Sequence, residues 1–312
     1  MISVDLSELE AFKYKPTSET ALLVFGFNRP NNLDQLLSSL INQRERQPGA
    51  VDVVIFLDGP RSATDILLTS KCEEVAKKYA SLPGVYYFAR HKNKGLKHSL
   101  LEGIGYSVKH YVKFIVLEDD LVIQPGFLTT MLHLIGSIDE YPNAKVASSF
   151  TENRDTWTSS SKHKFTLRNR FSCWGWGTTS TIWTSEILPT LTETSGTSLK
   201  QSLSLCLKLA WVAPDLVSLY FRCRQNRANS WAILVAMSQA VNGWRSVHPN
   251  FEICSNEGFS SQATHTKKAG YFPRKPAFGV NIDSAIGKYE GEKYRFFPWL
   301  ICVAEMIVRK VK

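Results

Sequence analysis

With 312 residues, 44% of them hydrophobic and 21% charged, the chain has the composition of a globular protein large enough to bury a sizeable core, which excludes a disordered or fibrous chain. Its net charge of +9 makes anions attractive partners, with a phosphorylated small molecule or anionic lipid ahead of nucleic acid, for which there is no arginine-rich block or recognition signature. No apolar run reaches the ~20 residues that span a bilayer, and the six cysteines show no CxxC or zinc spacing behind a start without a secretory signal, so a reduced, cytoplasmic setting is expected.

In chain order, four runs come first: ALLVFGF (21–27), VDVVIFLD (51–58), GVYYFAR (84–90) and KFIVLED (113–119). They are rich in β-branched and aromatic residues and do not alternate, which is the pattern of parallel strands buried on both faces. Between them, NLDQLLSSLI, ILLTSKCEEVAKKYASL and KHSLLEGIGYSVKHY carry helical periodicity. The order βαβαβαβ predicts an α/β fold with a doubly wound, mostly parallel sheet and helices on both faces. Such sheets bind ligands beyond the carboxyl ends of their strands. There the sequence places Asn28-Arg29-Pro30, Asp58-Gly59, Arg90-His91 and Glu118-Asp119-Asp120.

After Pro142 the pattern is less regular. AKVASSF (144–150) reads as another strand, 151–170 as a polar loop, and FSCWGWGTTSTIW (171–183) as three tryptophans set among glycines. Helical patterns follow around 201–225 and 229–241, then a short strand at WRSVHPN (244–250) and a loop over 255–270. No repeat and no Pro- or Gly-rich linker divides the chain. The last twenty residues, 293–312, set aromatic and aliphatic side chains between basic ends. They read either as a helix lying among lipid headgroups or as a helix docked on the protein's own core.

Three adjacent acids repel, so a protein keeps them where a cation or several amides compensate. Carboxylates suit Mg²⁺ or Mn²⁺, which take one or two protein acids together with substrate phosphates. At the same edge, the turn HKNKGLKHS offers Lys92, Lys94 and Lys97 with Gly95 ahead of a helix N-terminus, a favourable environment for a diphosphate. There is no GxGxxG after the first strand and no GxxxxGK[ST], which argues against a dinucleotide oxidoreductase and a P-loop NTPase.

Taken together, VFGFNRPNNLDQLLSSL, FLDGPR, NKGLKHSLLEGI and FIVLEDDLVIQPGFL resemble the nucleotide-sugar-binding half of GT-A fold glycosyltransferases. The nearest likeness is to family-2-like bacterial sugar transferases and, more distantly, to the N-acetylglucosaminyltransferase I type. The resemblance implies a UDP-sugar or similar donor, with Asp58 near the base and Arg61 and Lys94 near the donor. It implies Asp120 as the principal metal ligand within a DxD-type motif and Asp119 close to ribose or sugar. Asn28, Arg29 and Gly95 complete the expected donor site, and Glu118 and His265 are further candidate ligands for Mn²⁺ or Mg²⁺. Residues 1–142 would then be the donor half, 143–292 the acceptor-side half of the same catalytic unit, and 293–312 the tail.

FSCWGWGTTSTIW is similar to the family's acceptor-lining segment. Trp174 and Trp176, with Gly175 between them, are expected to offer flat faces and amides to a sugar, and Trp183 to pack in the core. In related proteins the general base lies just before a tryptophan that opens a helix. Here Asn229 and Ser230 stand in that place, and neither is a useful base. The base then comes from elsewhere, with Glu257, Asp155 and Glu152 as candidates, or the enzyme is retaining, or the chain binds donor without efficient turnover.

The function expected is a metal-dependent glycosyltransferase acting on a glycan or lipid-linked acceptor in bacterial surface-polysaccharide assembly, with peripheral membrane contact through the tail. The rival readings are a sugar nucleotidyltransferase, whose Gly-rich signature FGFNRPNN lacks, and a non-catalytic donor-binding or scaffold protein of the same fold.

Overall fold

The computed structural model describes Leu9 and residues 14–46, 51–150, 165–193, 199–212, 214–224, 230–257 and 290–291. Its first strands are β1 (Thr20–Gly26), β2 (Asp52–Leu57), β3 (Val85–Ala89) and β4 (Lys113–Glu118), as the unalternating apolar runs predict. β1 pairs in parallel with β2 on one side and with β4 on the other, and β2 pairs in parallel with β3. Nearly every side chain of β1, β2 and β4 is buried. Each such Val, Leu, Ile or Phe contributes about 1.5–3 kcal/mol of hydrophobic stabilisation.

The crossover helices are α1 (Pro30–Arg44), α2 (Ala63–Ala80) and α3 (Leu96–Ser107). α1 begins where Pro30 supplies a preset φ at a position that needs no N–H donor. It buries Leu33, Leu36, Leu37, Leu40 and Ile41, a single stripe at helical spacing. α1 and α2 pack side by side, while α3 packs against β1. Because parallel crossovers are right-handed, the step back from β3 to β4 puts α3 on the face opposite α1 and α2.

The described sheet runs β11-β7-β9-β6-β8-β4-β1-β2-β3. Its second half comprises β6 (Ala144–Ser148), β7 (Phe165–Arg168), β8 (Trp176–Thr179), β9 (Arg245–Pro249) and the two-residue β11 (Glu290–Gly291). β8 lies antiparallel between β4 and β6, and β9 runs parallel to β6, so β4, β6 and β9 all point to one edge. The loop expected over 151–170 is corrected at its end: Phe165–Arg168 pairs with β9, with Phe165 and Leu167 buried on its core side. Off this sheet, β5 (Leu121–Ile123) pairs antiparallel with β10 (Cys254–Asn256).

The remaining helices are α4 (Phe127–Gly136), α5 (Ser180–Ile182) extended by a π-helical turn (Trp183–Ile187) into α6 (Leu188–Glu193), α7 (Leu199–Val212), α8 (Pro214–Arg224) and α9 (Trp231–Asn242). α7, α8 and α9 pack on one another. No helix among the described residues is long and apolar enough to cross a membrane.

Candidate active site

The strand order 3-2-1-4 reverses between β1 and β4, and that reversal opens a crevice beyond their carboxyl ends. The turn after β1 and the acids after β4 meet there. Phe27 donates its backbone N–H to Asp119 Oδ2 at 3.0 Å. The guanidinium of Arg29 lies between the two aspartates, with Nη1 3.3 Å from Asp119 Oδ1 and 2.9 Å from Asp120 Oδ2. On the far side, Asn256 Nδ2 donates to Asp120 Oδ1 at 3.2 Å, and the Glu257 N–H donates to the Asp120 carbonyl at 3.0 Å. The β5–β10 ribbon is therefore what carries Glu257, an exposed acid, to the triplet.

Negative charge is costly at this point. Burial first, then the Asp120 and Asp119 charges, push the Glu118 carboxyl up to about 8. Burial also pushes Asp119 up to about 6, although Arg29 pulls it back. Glu118 accepts a hydrogen bond from the Trp231 indole, which ties the end of β4 to the first residue of α9.

Hard carboxylate oxygens crowded in this way fit a divalent cation. No group of three or more His, Cys, Asp or Glu among the described residues is placed to hold a metal. Asp119 and Asp120 would supply two such ligands, and Mg²⁺ and Mn²⁺ habitually complete their shell with water and ligand oxygens.

Along the same edge, Asp58 holds a turn together. Its Oδ1 accepts from the N–H of Gly59 at 3.0 Å and of Lys94 at 2.9 Å, and its Oδ2 accepts from the N–H of Gly95 at 2.8 Å. Both oxygens thus hold backbone amides, so Asp58 braces the turn before α3. Gly95 has a φ of +79° with open space where a Cβ would lie, so conformation alone demands glycine there. Lys94 Nζ lies 3.5 Å from Glu102 Oε2, and the same oxygen pairs with the buried Arg90.

Asn28 and Arg61 are both organised by Asp65, a buried acid in the first turn of α2. Asn28 Nδ2 donates to its Oδ1 at 3.0 Å, and Arg61 grips both oxygens, Nε to Oδ2 at 2.9 Å and Nη2 to Oδ1 at 3.2 Å. The Arg61 guanidinium also lies 4.7 Å from the centre of the Phe27 ring. The structure thus brings Asn28, Arg29, Asp58, Arg61, Lys94, Gly95, Asp119, Asp120 and Glu257 to one edge.

The tryptophan segment divides. Trp174 is half-buried and meets Phe150 edge-on at 4.3 Å between centroids. Trp176 is 0% exposed and packs against Phe114, Phe171, Trp183 and Trp231, which corrects the expectation that it faces a sugar. Gly175, at φ +64°, is required by packing: a Cβ there would stand 2.4 Å from Ser149 Oγ. Ser149 donates its N–H to the Gly175 carbonyl and its hydroxyl to the Trp174 carbonyl, both at 2.7 Å. Trp183 is core, as expected.

Sequence reasoning missed Asp65, Glu102, Asn256 and Trp231 as the residues that hold this edge together. Only Asp65 carried a signal, an acid four residues after Arg61 at a helix start. Asn229, His265, Glu152, Asp155 and the tail 293–312 lie outside the described residues.

A family model described as Glycosyl transferase family 2 matches residues 22–187. No curated protein matches the chain at a significant level. Among solved structures, glucosyl-3-phosphoglycerate synthase from Mycobacterium tuberculosis in complex with Mn²⁺, UDP and glucosyl-3-phosphoglycerate is 12% identical over 43% of this chain and 44% of that one, with a TM-score of 0.31. The mannosyltransferase PcManGT from Pyrobaculum calidifontis in complex with GDP-Man and Mn²⁺ is 9% identical over 75% and 74%, with a TM-score of 0.39. A fragment of S. aureus TarS is 11% identical over 77% and 61%, with a TM-score of 0.45. The chain spans less than half the length of the synthase structure. The family match takes in more than half of the sequence and runs through all four strands whose ends form the crevice: this chain belongs to glycosyl transferase family 2.

Proposed function

We propose that the protein is a metal-dependent glycosyltransferase that moves a sugar from a nucleoside-diphosphate donor, a UDP-sugar above others, to a glycan or lipid-linked acceptor in bacterial surface-polysaccharide assembly. The observation that carries this reading is the Asp119–Asp120 pair at the switch point between β1 and β4 in a family-2 chain. Residues 1–142 form the donor half and 143–292 the acceptor-side half.

Asp120, with Asp119, would hold Mn²⁺ or Mg²⁺. When bound, the ion supplies positive charge against the leaving diphosphate. Lys94, fixed near Glu102, and the N-terminus of α3 behind Gly95 add donors for the same oxygens. Arg61, stacked on Phe27 and clamped by Asp65, lines the donor side. Trp174 faces the acceptor. Glu257 takes the acceptor's proton, since it is exposed and its own amide is bonded to Asp120, whereas Ser230 at the start of α9 carries no basic group.

Thermal-shift measurements with UDP-, GDP-, dTDP- and CMP-sugars test the reading, each with Mn²⁺ and with EDTA. The expected result is stabilisation by the UDP-sugar with Mn²⁺ only, worth about 2.7 kcal/mol at a hundredfold excess over Kd. No shift with any donor would overturn it. For the tail, we propose peripheral contact with the inner face of the cell membrane, so deletion of residues 294–312 should abolish co-sedimentation with anionic liposomes. Equal sedimentation of the truncated chain would refute the contact.

A further inference from the structure

Every carboxylate oxygen of the Asp119–Asp120 pair already has a donor. Asp119 Oδ2 is held by the Phe27 N–H at 3.0 Å and Asp120 Oδ1 by Asn256 Nδ2 at 3.2 Å. The remaining two, Asp119 Oδ1 and Asp120 Oδ2, converge on one nitrogen, Arg29 Nη1. The first donor is backbone at the end of β1 and cannot swing away. Arg29 is different: its charged end is a side chain a quarter exposed, on the turn just before α1.

A divalent ion held by Asp119 and Asp120 would compete with Arg29 for the two oxygens it occupies. Two cations cannot share that position, because at ~4 Å their repulsion is severe at any dielectric this partly buried site provides. Metal entry therefore requires Arg29 to move out. A guanidinium released at the mouth of the crevice needs a new anionic partner, and its planar fork matches two oxygens of a diphosphate.

We infer that Arg29 is a displaceable counter-cation that couples the two ligands of this site: the divalent metal binds weakly alone, and tightly once a nucleoside diphosphate arrives to receive Arg29. This rests on the reading of Asp120 as a metal ligand. The coupling is reciprocal, so UDP likewise binds weakly without metal. Arg29 is in this sense a positioning residue that sets the order and cooperativity of assembly.

The test is binding of Mn²⁺ to the full chain, followed by the electron paramagnetic resonance signal of free Mn²⁺, with and without UDP. In the unaltered protein UDP should tighten Mn²⁺ binding at least tenfold, within the usual range of such couplings. Arg29→Gln should bind Mn²⁺ alone about tenfold more tightly, with the effect of UDP reduced to about twofold or less. Arg29→Lys keeps the charge but loses the fork, so Mn²⁺ alone should stay weak while the gain from UDP shrinks; this variant decides the matter if Arg29→Gln does not fold. Unchanged Mn²⁺ binding in Arg29→Gln, with the tightening by UDP intact in both variants, would overturn the coupling. Asp120→Asn separates the two ideas. Loss of Mn²⁺ binding there leaves the metal site standing whatever Arg29 does, whereas retained binding with UDP would sink the metal reading itself.

Discussion

At the amino-terminal edge of the sheet, Asp52 is wholly buried and accepts from the Thr17 N–H at 2.8 Å, from the Thr17 hydroxyl, and from the Tyr111 hydroxyl at 3.0 Å. At the opposite edge, Asp119 and Asp120 lie side by side with the Arg29 guanidinium between them. The first acid is closed in by neutral, fixed donors and by the rings of Tyr14, Tyr86 and Tyr111, and burial pushes the Tyr14 and Tyr111 phenols well above their usual range. It fastens the segment before β1 to the sheet. The second pair carries like charges that share one guanidinium nitrogen. Burial of an acid alone therefore does not mark a site, whereas a crowded pair of acids sharing one cation is a stronger pointer to one.

The sharpest way to break this contrast is to neutralise one acid at each edge. Asp120→Asn should lower Mn²⁺-dependent UDP affinity at least ~1000-fold, about 4 kcal/mol, by calorimetric titration. Its stability without metal should hold or rise, because a like-charge repulsion is removed. Asp52→Ala should do the reverse. It leaves the Thr17 N–H and the Tyr111 hydroxyl without their acceptor, which costs about 2–3 kcal/mol in urea denaturation. UDP affinity should be unchanged in the folded variant. If Asp52→Ala also lost UDP binding while remaining folded, the two edges would not be separable in the way argued.

The same contrast explains what was legible in the sequence. The strands and their polar ends could be read because a parallel strand is a local pattern, and four of them in order imply which ends share an edge. The acid triplet stood out for the same reason. Trp176 could not be read, since glycine on both sides suits ligand approach and tight packing alike. What distinguishes them is Ser149 against Gly175 and the rings of Phe114 and Phe171, set by tertiary packing. Asp58 was placed at the correct edge, but its bonds to Lys94 and Gly95 could not be read because they reach across 36 and 37 residues. Asn256 reaches Asp120 only through the β5–β10 pairing, and β7 is too short and too close to polar sequence to announce itself.

His248 shows that the functional edge also contains groups of the closed kind. It lies near the carboxyl end of β9, is buried, and has Nδ1 2.6 Å from the Phe150 carbonyl, an arrangement that puts the ring proton on that nitrogen. Burial, reinforced by the nearby Arg168 charge, lowers its pKa to about 3. In the unfolded chain the ring titrates near 6.5, so the unfolded state takes up a proton first as pH falls. The stabilisation from this neutral histidine is complete above about pH 6.5 and is lost at about 1.4 kcal/mol per pH unit between there and pH 3. His248→Asn keeps an N–H for the Phe150 carbonyl and removes the titration. Urea midpoints at pH 7.5 and 5.5 should therefore diverge by about 1 kcal/mol less in the variant than in the unaltered protein, with metal-dependent UDP affinity the same in both. An equal divergence in the two proteins would mean that His248 gains its proton in the folded state, and the carboxyl end of β9 would then belong with Asp119 and Asp120 rather than with Asp52.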